Sequence, residues 1–285
     1  MLIPQPNLRH QDVILTLFGM YGRPPHVAIP VASLVTLMGD LGFDSPGVRS
    51  AISRLKRKGI LASFRDGGVA SYVLDPSMSE TISDGDERIF SEKRPDSGGY
   101  WALVTFSVPE SQRSLRHQIR ATLTGLGFGN VGQGLWIAPA ANLHEAQIVL
   151  DRKGLGRYVE YFSGQYMGEE KIAEKVGQWW DLDELNSYFD EFLSFYETIA
   201  EQWRTRSVTK SLEAAQIAQE AFRIYVPMLT MWRRLPYLVP PLPVDVVLTE
   251  WNGPRVRAIF HEVHHMLSAQ AGEYVDNVFA GGRRE

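Results

Sequence analysis

The sequence predicts an α+β protein in three successive parts: three helices with a β-hairpin, then alternating strands and helices, then a mostly helical C-terminal part. Three observations support this prediction. Apolar residues recur at helical spacing up to residue 58, two short β-rich runs then flank an Asp-Gly-Gly turn, and long amphipathic stretches return after residue 172. We expect three domains that span residues 1–90, 91–168 and 169–285.

The first two helices are predicted from amphipathic segments at residues 7–21 and 31–41. Each segment spaces its apolar residues by three and four, which brings them to one face of a helix. Gly42 follows the second segment and is typical of a helix stop. The residues expected to be buried are Val13, Ile14, Leu17, Phe18, Leu34, Val35, Met38 and Leu41.

A third helix is expected to begin at Ser45-Pro46 and to end before Gly59, because a capping hydroxyl followed by a proline is typical of a helix start. Its inward face is formed by Val48, Ile52 and Leu55. Polar side chains must then occupy its other faces, namely Arg49, Ser50, Ser53, Arg54 and Arg57.

A β-hairpin is predicted directly after the third helix. The runs at residues 60–64 and 69–74 are rich in β-forming residues, and Asp66-Gly67-Gly68 between them is a strong turn signal. Three helices followed by such a hairpin predict a winged helix-turn-helix, in which the third helix enters the major groove of DNA and the hairpin is the wing.

The distribution of charge supports this interpretation. Residues 1–75 carry eight Lys or Arg and five Asp or Glu, a net charge of +3, whereas the remaining residues carry a net charge of −7. A basic head on an acidic body suits contact with phosphate at one end only. The predicted DNA-binding residues are Arg49, Ser50, Ser53, Arg54, Lys56, Arg57, Lys58 and Arg65. An ordinary solvated helix face is the alternative for any one of these arginines.

The middle part is predicted to be a ferredoxin-like α/β domain for dimerisation or effector binding. Strands are expected at residues 101–108, 134–138 and 158–162, and helices at residues 110–126 and 142–153. The first of these helices carries Arg113, Arg116 and Arg120, which can receive the phosphates of an effector. A solvated helix face predicts the same three arginines.

The C-terminal part is predicted to be helical at residues 182–204, at residues 208–234 and after Pro254. An aromatic stripe begins at Trp179-Trp180 and continues into the first of these helices. Such stripes are usually core, and the alternative is the wall of a ligand pocket.

Several functional classes are excluded or disfavoured by what the sequence lacks. It contains no cysteine, so disulfides, thiolate metal sites and a cysteine nucleophile are excluded. No phosphate-binding loop, dinucleotide fingerprint or nucleophile elbow is present. We therefore expect a protein that is not an enzyme and needs no cofactor. Because neither a signal peptide nor an apolar run of about 18 residues is found, we expect it in the cytoplasm, away from membranes.

One motif favours a different class of protein. Residues 261–265, His-Glu-Val-His-His, fit the H-E-x-x-H pattern in which two histidines bind zinc and the glutamate activates water. A third histidine six residues further on is replaced by Ala271. A zinc hydrolase that uses His261, Glu262 and His265 is therefore the alternative function, and a polar helix face is the simpler explanation.

Several segments together identify a family resemblance. Residues 47–59 resemble the first domain of the PaaX-type repressors of phenylacetic acid catabolism. Residues 100–110 and 127–137 resemble the middle domain of that family, and residues 180–188 and 250–254 resemble its C-terminal region. This resemblance implies a homodimeric repressor that binds an inverted-repeat operator in double-stranded DNA and leaves it when an aryl-coenzyme A thioester binds.

Overall fold

A computed structural model of the chain describes residues 6–23, 28–66, 68–78, 85–86, 88–91, 99–132, 134–168, 171–205, 214–238 and 251–282. The chain forms two compact units that do not follow its order. The first unit combines residues 1–90, 192–232 and 256–285, and the second unit combines residues 91–191 and 233–255. The three domains expected from the sequence stay a prediction.

The three predicted N-terminal helices are present as α1 (His10–Tyr21), α2 (Val31–Asp40) and α3 (Ser45–Arg57). All four apolar residues predicted for the inward face of α1 are fully buried. In α2 the prediction was wrong at Val35, which is only half-buried, while Leu37 is 0% exposed. Leu37 and Met38 lie on either side of Leu34 in the arc of the helix that faces the core, whereas Val35 lies beyond Met38 at the edge of that arc.

The predicted hairpin is formed by β2 (Leu61–Asp66) and β3 (Val69–Leu74), which are antiparallel and in register from Leu61 opposite Leu74 to Asp66 opposite Val69. Gly68 has a φ of +89°, a conformation that favours glycine at this turn. A third strand, β1 (Ala28–Pro30), pairs with β3 on its other side. The sequence did not predict β1, because three residues are too few for a visible alternation.

The second unit contains a four-stranded antiparallel sheet of β4 (Tyr100–Phe106), β5 (Gly129–Gly132), β6 (Leu135–Pro139) and β7 (Val159–Gln165) in the order β5-β6-β4-β7. The helices α4 (Arg113–Gly125) and α5 (Leu143–Arg152) connect β4 to β5 and β6 to β7. This β-α-β-β-α-β order is the ferredoxin-like arrangement. The prediction missed β5, whose glycine-rich sequence gives no strand signal.

The sheet of the second unit is covered on both faces. On one face, α4 and α5 enclose an apolar core that includes Val104, Ile119 and Leu150. On the other face, Trp101 and Ile137 pack with residues of α6 (Ile172–Trp179) and of the segment after it. Trp180 is part of this core and the partly buried Trp179 packs against it, as the sequence suggested for the start of the aromatic stripe.

The C-terminal helices are α7 (Leu182–Arg204), α8 (Ala214–Trp232), the short α9 (Leu235–Leu238) and α10 (Gly253–Gly282). The expected start of α8 at residue 208 lies outside the described residues, as do most of the residues between α9 and α10. Among the described helices, none combines the length and apolar character that a membrane span requires.

Within the first unit, α8 and α10 pack against the N-terminal helices. In the buried interior, Thr230 of α8 donates a hydrogen bond to the Thr16 hydroxyl of α1 over 2.9 Å. At the end of α2, Asp40 accepts hydrogen bonds from Tyr274 of α10 and, over 3.1 Å, from Gln219 of α8. The N-terminal helices thus share their core and a polar network with residues more than 170 positions away.

Candidate nucleic-acid interface

The candidate interface is the solvent face of α3 with the adjoining hairpin. The opposite side of α3 is fixed in the core by Val48, Ala51, Ile52 and Leu55, none more than 2% exposed. All eight candidate DNA-binding residues are exposed: Arg49, Ser50, Ser53, Arg54, Lys56, Arg57, Lys58 and Arg65. The helix therefore presents one continuous basic and hydroxyl-bearing surface to solvent.

Two hydrogen bonds orient side chains on this surface. Arg54 donates through Nη1 to Ser50 Oγ over 3.0 Å, one helical turn back, and Ser53 donates to the Arg49 carbonyl over 3.0 Å. A guanidinium carries five N–H donors, so the bond to Ser50 restrains Arg54 and leaves most of its donors for another acceptor. Such a restrained fork suits bidentate recognition of a guanine edge or a phosphate.

The start of α3 is fixed by Asp44, whereas the sequence placed the cap at Ser45. Asp44 accepts a hydrogen bond from the Gly47 backbone N–H over 2.8 Å, and its other oxygen lies 3.3 Å from His10 Nε2. The Gly47 N–H bond first, and then the contact with His10, lower the pKa of the Asp44 carboxyl. The His10 contact could not be predicted from local sequence, because the two residues are 34 positions apart.

The hairpin brings further groups beside α3. Lys56 Nζ lies 5.6 Å from the centre of the Tyr72 ring on β3, a cation–π contact. Arg65 is exposed on β2, where it pairs with Ala70. Its neighbour Phe64 is 44% exposed, and sequence reasoning did not single it out because an isolated aromatic residue in a strand usually belongs to the core.

The three arginines of α4 have different surroundings. Arg113 and Arg120 are exposed. Arg116 instead donates through Nη2 to the Val108 carbonyl over 2.7 Å, and its Nη1 lies 3.0 Å from a carboxylate oxygen of Glu110. This guanidinium ties the β4–α4 connection to the helix, so Arg113 and Arg120 are the more available cations. Their role in effector binding stays a prediction.

The H-E-x-x-H segment lies in the middle of α10. His261 is half-buried and His265 is exposed. The Glu262 carboxylate accepts hydrogen bonds from Arg204 Nε and Nη2 over 2.9 and 2.6 Å, so it is held in an ion pair. The described residues contain no group of three His, Asp or Glu side chains suited to a metal ion. The next acidic residue on α10 is Glu273, which lies eight residues and about 12 Å beyond His265, too far to share a zinc ion with it.

Three family models match the chain in succession. They are described as PaaX-like protein, over residues 9–77, PaaX protein central Cas2-like domain, over residues 94–176, and PaaX-like protein C-terminal domain, over residues 180–277. The order and extent of the three matches agree with the order of the segments that carry the resemblance in the sequence.

Two similar proteins extend these matches over most of the chain. The Transcriptional repressor PaaX of Escherichia coli (strain K12) is 23% identical over 248 residues, which cover 86% of this chain and 76% of the relative. An uncharacterized protein of Mycobacterium tuberculosis, Rv0674, has a solved structure that matches with a TM-score of 0.56 at 18% identity, over 94% of this chain and 98% of that one. The chain belongs to the PaaX family.

Proposed function

We propose that this protein is a PaaX-like transcriptional regulator that binds double-stranded DNA through α3, with the β2–β3 hairpin as the wing of a winged helix-turn-helix. The observation that carries the proposal is the division of α3 into a fully buried apolar side and an exposed side of arginines and serines. In regulators of this kind the recognition helix is held by its apolar side and reads bases with the other.

Within this proposal the eight residues divide into two roles. Arg49, Arg54 and Arg57, with Ser50 and Ser53, face the major groove, where arginine pairs with the O6 and N7 acceptors of guanine. The remaining residues hold the DNA backbone without reading sequence, namely Lys56, Lys58 and Arg65. These contacts release counterions, so affinity should fall as salt rises.

The family implies how such a contact is used. We propose a cytoplasmic homodimeric repressor, without enzymatic activity, of a catabolic operon for an aromatic acid such as phenylacetate. Its two recognition helices would occupy half-sites of an inverted repeat roughly 34 Å apart. An aryl-coenzyme A effector, with Arg113 and Arg120 near its phosphates, would change that separation and release the operator. The name of the curated relative supports the repressor role.

DNA binding is tested by fluorescence anisotropy with DNA from upstream of the protein's own gene and with a scrambled duplex, at several salt concentrations. Wild-type protein should prefer the upstream DNA. Loss of one bidentate base contact costs about 1–3 kcal/mol, so Arg54→Ala should weaken that binding roughly 5- to 150-fold. Lys58→Ala should weaken binding to both duplexes and reduce the salt slope by about 1.

The matched control is Arg120→Ala, which removes the same charge from an exposed helix of the second unit. It should leave DNA affinity within about twofold of wild type, since Arg120 lies outside α3 and the hairpin to which the DNA contacts are assigned. Equal binding to both duplexes, or equal losses in Arg54→Ala and Arg120→Ala, would mean that α3 is only a solvated basic helix.

A further inference from the structure

A cleft of about 920 Å³ in the second unit is not used by the proposed DNA contact. It opens beside β5 and the segment that joins α6 to α7. Its lining includes Trp179, Trp180, Asp183, Asn186 and Trp251. A volume of this size is in the range of small-molecule sites in proteins.

The aromatic side chains of the cleft are held in place by their own contacts. Trp180 donates through Nε1 to the Gly127 carbonyl over 3.0 Å, and its ring centre lies 6.2 Å from that of Trp179 at an angle of 60°. Trp251 packs edge-on against Phe189, with ring centres 5.0 Å apart. Because these rings are already ordered, the protein would lose little side-chain entropy when an aromatic ring stacks against them.

Amide N–H donors from Asn130 and Gln178 line the cleft, but its charged groups and its buried atom without a hydrogen-bond partner are acceptors. Asn186 Oδ1 is buried and has no hydrogen-bond partner among the described residues. Asp183 is exposed at the cleft and adds a carboxylate. Asp181 already accepts a hydrogen bond from the Glu184 backbone N–H over 2.9 Å, at the start of α7. The lining residues that the structure describes include no Lys, Arg or His.

We propose that this cleft binds a molecule that has a planar aromatic ring and an N–H donor, as an arylalkyl amide or amine does. The indole rings hold the aromatic part, Asn186 Oδ1 accepts from the N–H group, and Asp183 attracts a positive charge on an amine. The carboxylates of Asp181 and Asp183 repel a ligand that ends in a carboxylate or phosphate. The proposal does not rest on DNA binding.

Three probes with the same ring separate these features: 2-phenylethylamine, phenylacetamide and phenylacetate. Each is titrated into the full-length protein, with tryptophan fluorescence excited near the red edge of indole absorption and with calorimetry. The amine and the amide should give saturable binding, and the acid should bind at least tenfold more weakly than the amide. The absence of saturable binding for both amine and amide, or equal binding of all three probes, would overturn the proposal.

Variants locate the site and distinguish it from an effect on folding. Asn186→Leu removes the acceptor that has no hydrogen-bond partner, so the thermal midpoint should stay at or above that of wild type. The same variant should weaken the binding of phenylacetamide roughly tenfold. Asp183→Asn, at an exposed position, should weaken the binding of 2-phenylethylamine several-fold and change the affinity for phenylacetamide little. Unchanged affinities in both variants would overturn the proposed contacts.

Two tryptophan substitutions form a matched pair that tests the source of the fluorescence change. Trp251→Phe should reduce the ligand-induced change in fluorescence, because this ring lines the cleft. Trp203→Phe, which alters a tryptophan of α7 in the first unit, should leave that change intact. The reverse pattern would place binding outside the cleft and contradict the assignment.

Discussion

Gly129 of β5 offers a sharp test of how the second unit is packed. A Cβ atom added there would lie 2.7 Å from two ring carbons of Trp180 and 2.8 Å from the Trp179 carbonyl oxygen. Ordinary carbon–carbon contacts are about 3.5–4.0 Å, so the overlap is close to 1 Å. Trp180 has little room to move away, because the residue is only 7% exposed and its Nε1 donates a hydrogen bond to the Gly127 carbonyl.

We therefore predict that Gly129→Ala destabilises the second unit by about 1–3 kcal/mol through overpacking, with about 1 kcal/mol more if the Trp180–Gly127 hydrogen bond breaks. Denaturant unfolding followed by tryptophan fluorescence measures this change. Gly164→Ala in β7 is the matched control, because an added Cβ there would have no neighbour within 4 Å. It should change stability by less than about 1 kcal/mol, in the stabilising direction if at all. Equal stabilities of the two variants would refute the reasoning.

Three further predictions concern the first unit. Asp44→Ala should lower the thermal midpoint, whereas Asp44→Asn should keep the helix cap. Because the folded state lowers the pKa of Asp44 from 3.8, the wild type should lose the stabilisation from the ionised carboxylate as the pH falls below about 4. Thermal melts at pH 2–7 should show this loss in the wild type and not in Asp44→Asn. Thr230→Val should lower the free energy of unfolding by about 1 kcal/mol in denaturant experiments, since it leaves the buried Thr16 hydroxyl with one partner fewer. An unchanged free energy of unfolding would contradict a stabilising role for this hydrogen bond. Dialysis against a chelator should leave the thermal midpoint unchanged, because the described residues contain no group of three His, Asp or Glu side chains that could hold a metal ion. A clear drop in the midpoint would indicate a structural metal.

The sequence predicted those parts of the fold that depend on local pattern. The period of apolar residues located α1 and α3 with nearly all of their buried side chains, and Asp-Gly-Gly located the hairpin. The same period predicted the exposure of five polar residues of α3, because the positions left over by a buried face must point to solvent: Arg49, Ser50, Ser53, Arg54 and Arg57.

Features that depend on distant partners were not predictable in this way. The strands β1 and β5 are defined by the neighbours they pair with, and their own sequences carry no alternation. The contact of His10 with Asp44 and the pairing of Arg204 with Glu262 join residues far apart in the chain. The first unit unites the N-terminal helices with α8 and with parts of α7 and α10. This grouping could not be predicted for the same reason.

The central claim is that α3 reads base sequence, and methylation interference tests it most directly. DNA from upstream of the gene is partially methylated at guanine N7, bound by wild-type protein or by Arg54→Ala, and the bound fraction is sequenced. Because arginine recognises guanine through O6 and N7, wild-type protein should exclude DNA methylated at particular guanines, and Arg54→Ala should lose that exclusion at one guanine of each half-site. Identical interference patterns for both proteins, or none for the wild type, would contradict the claim.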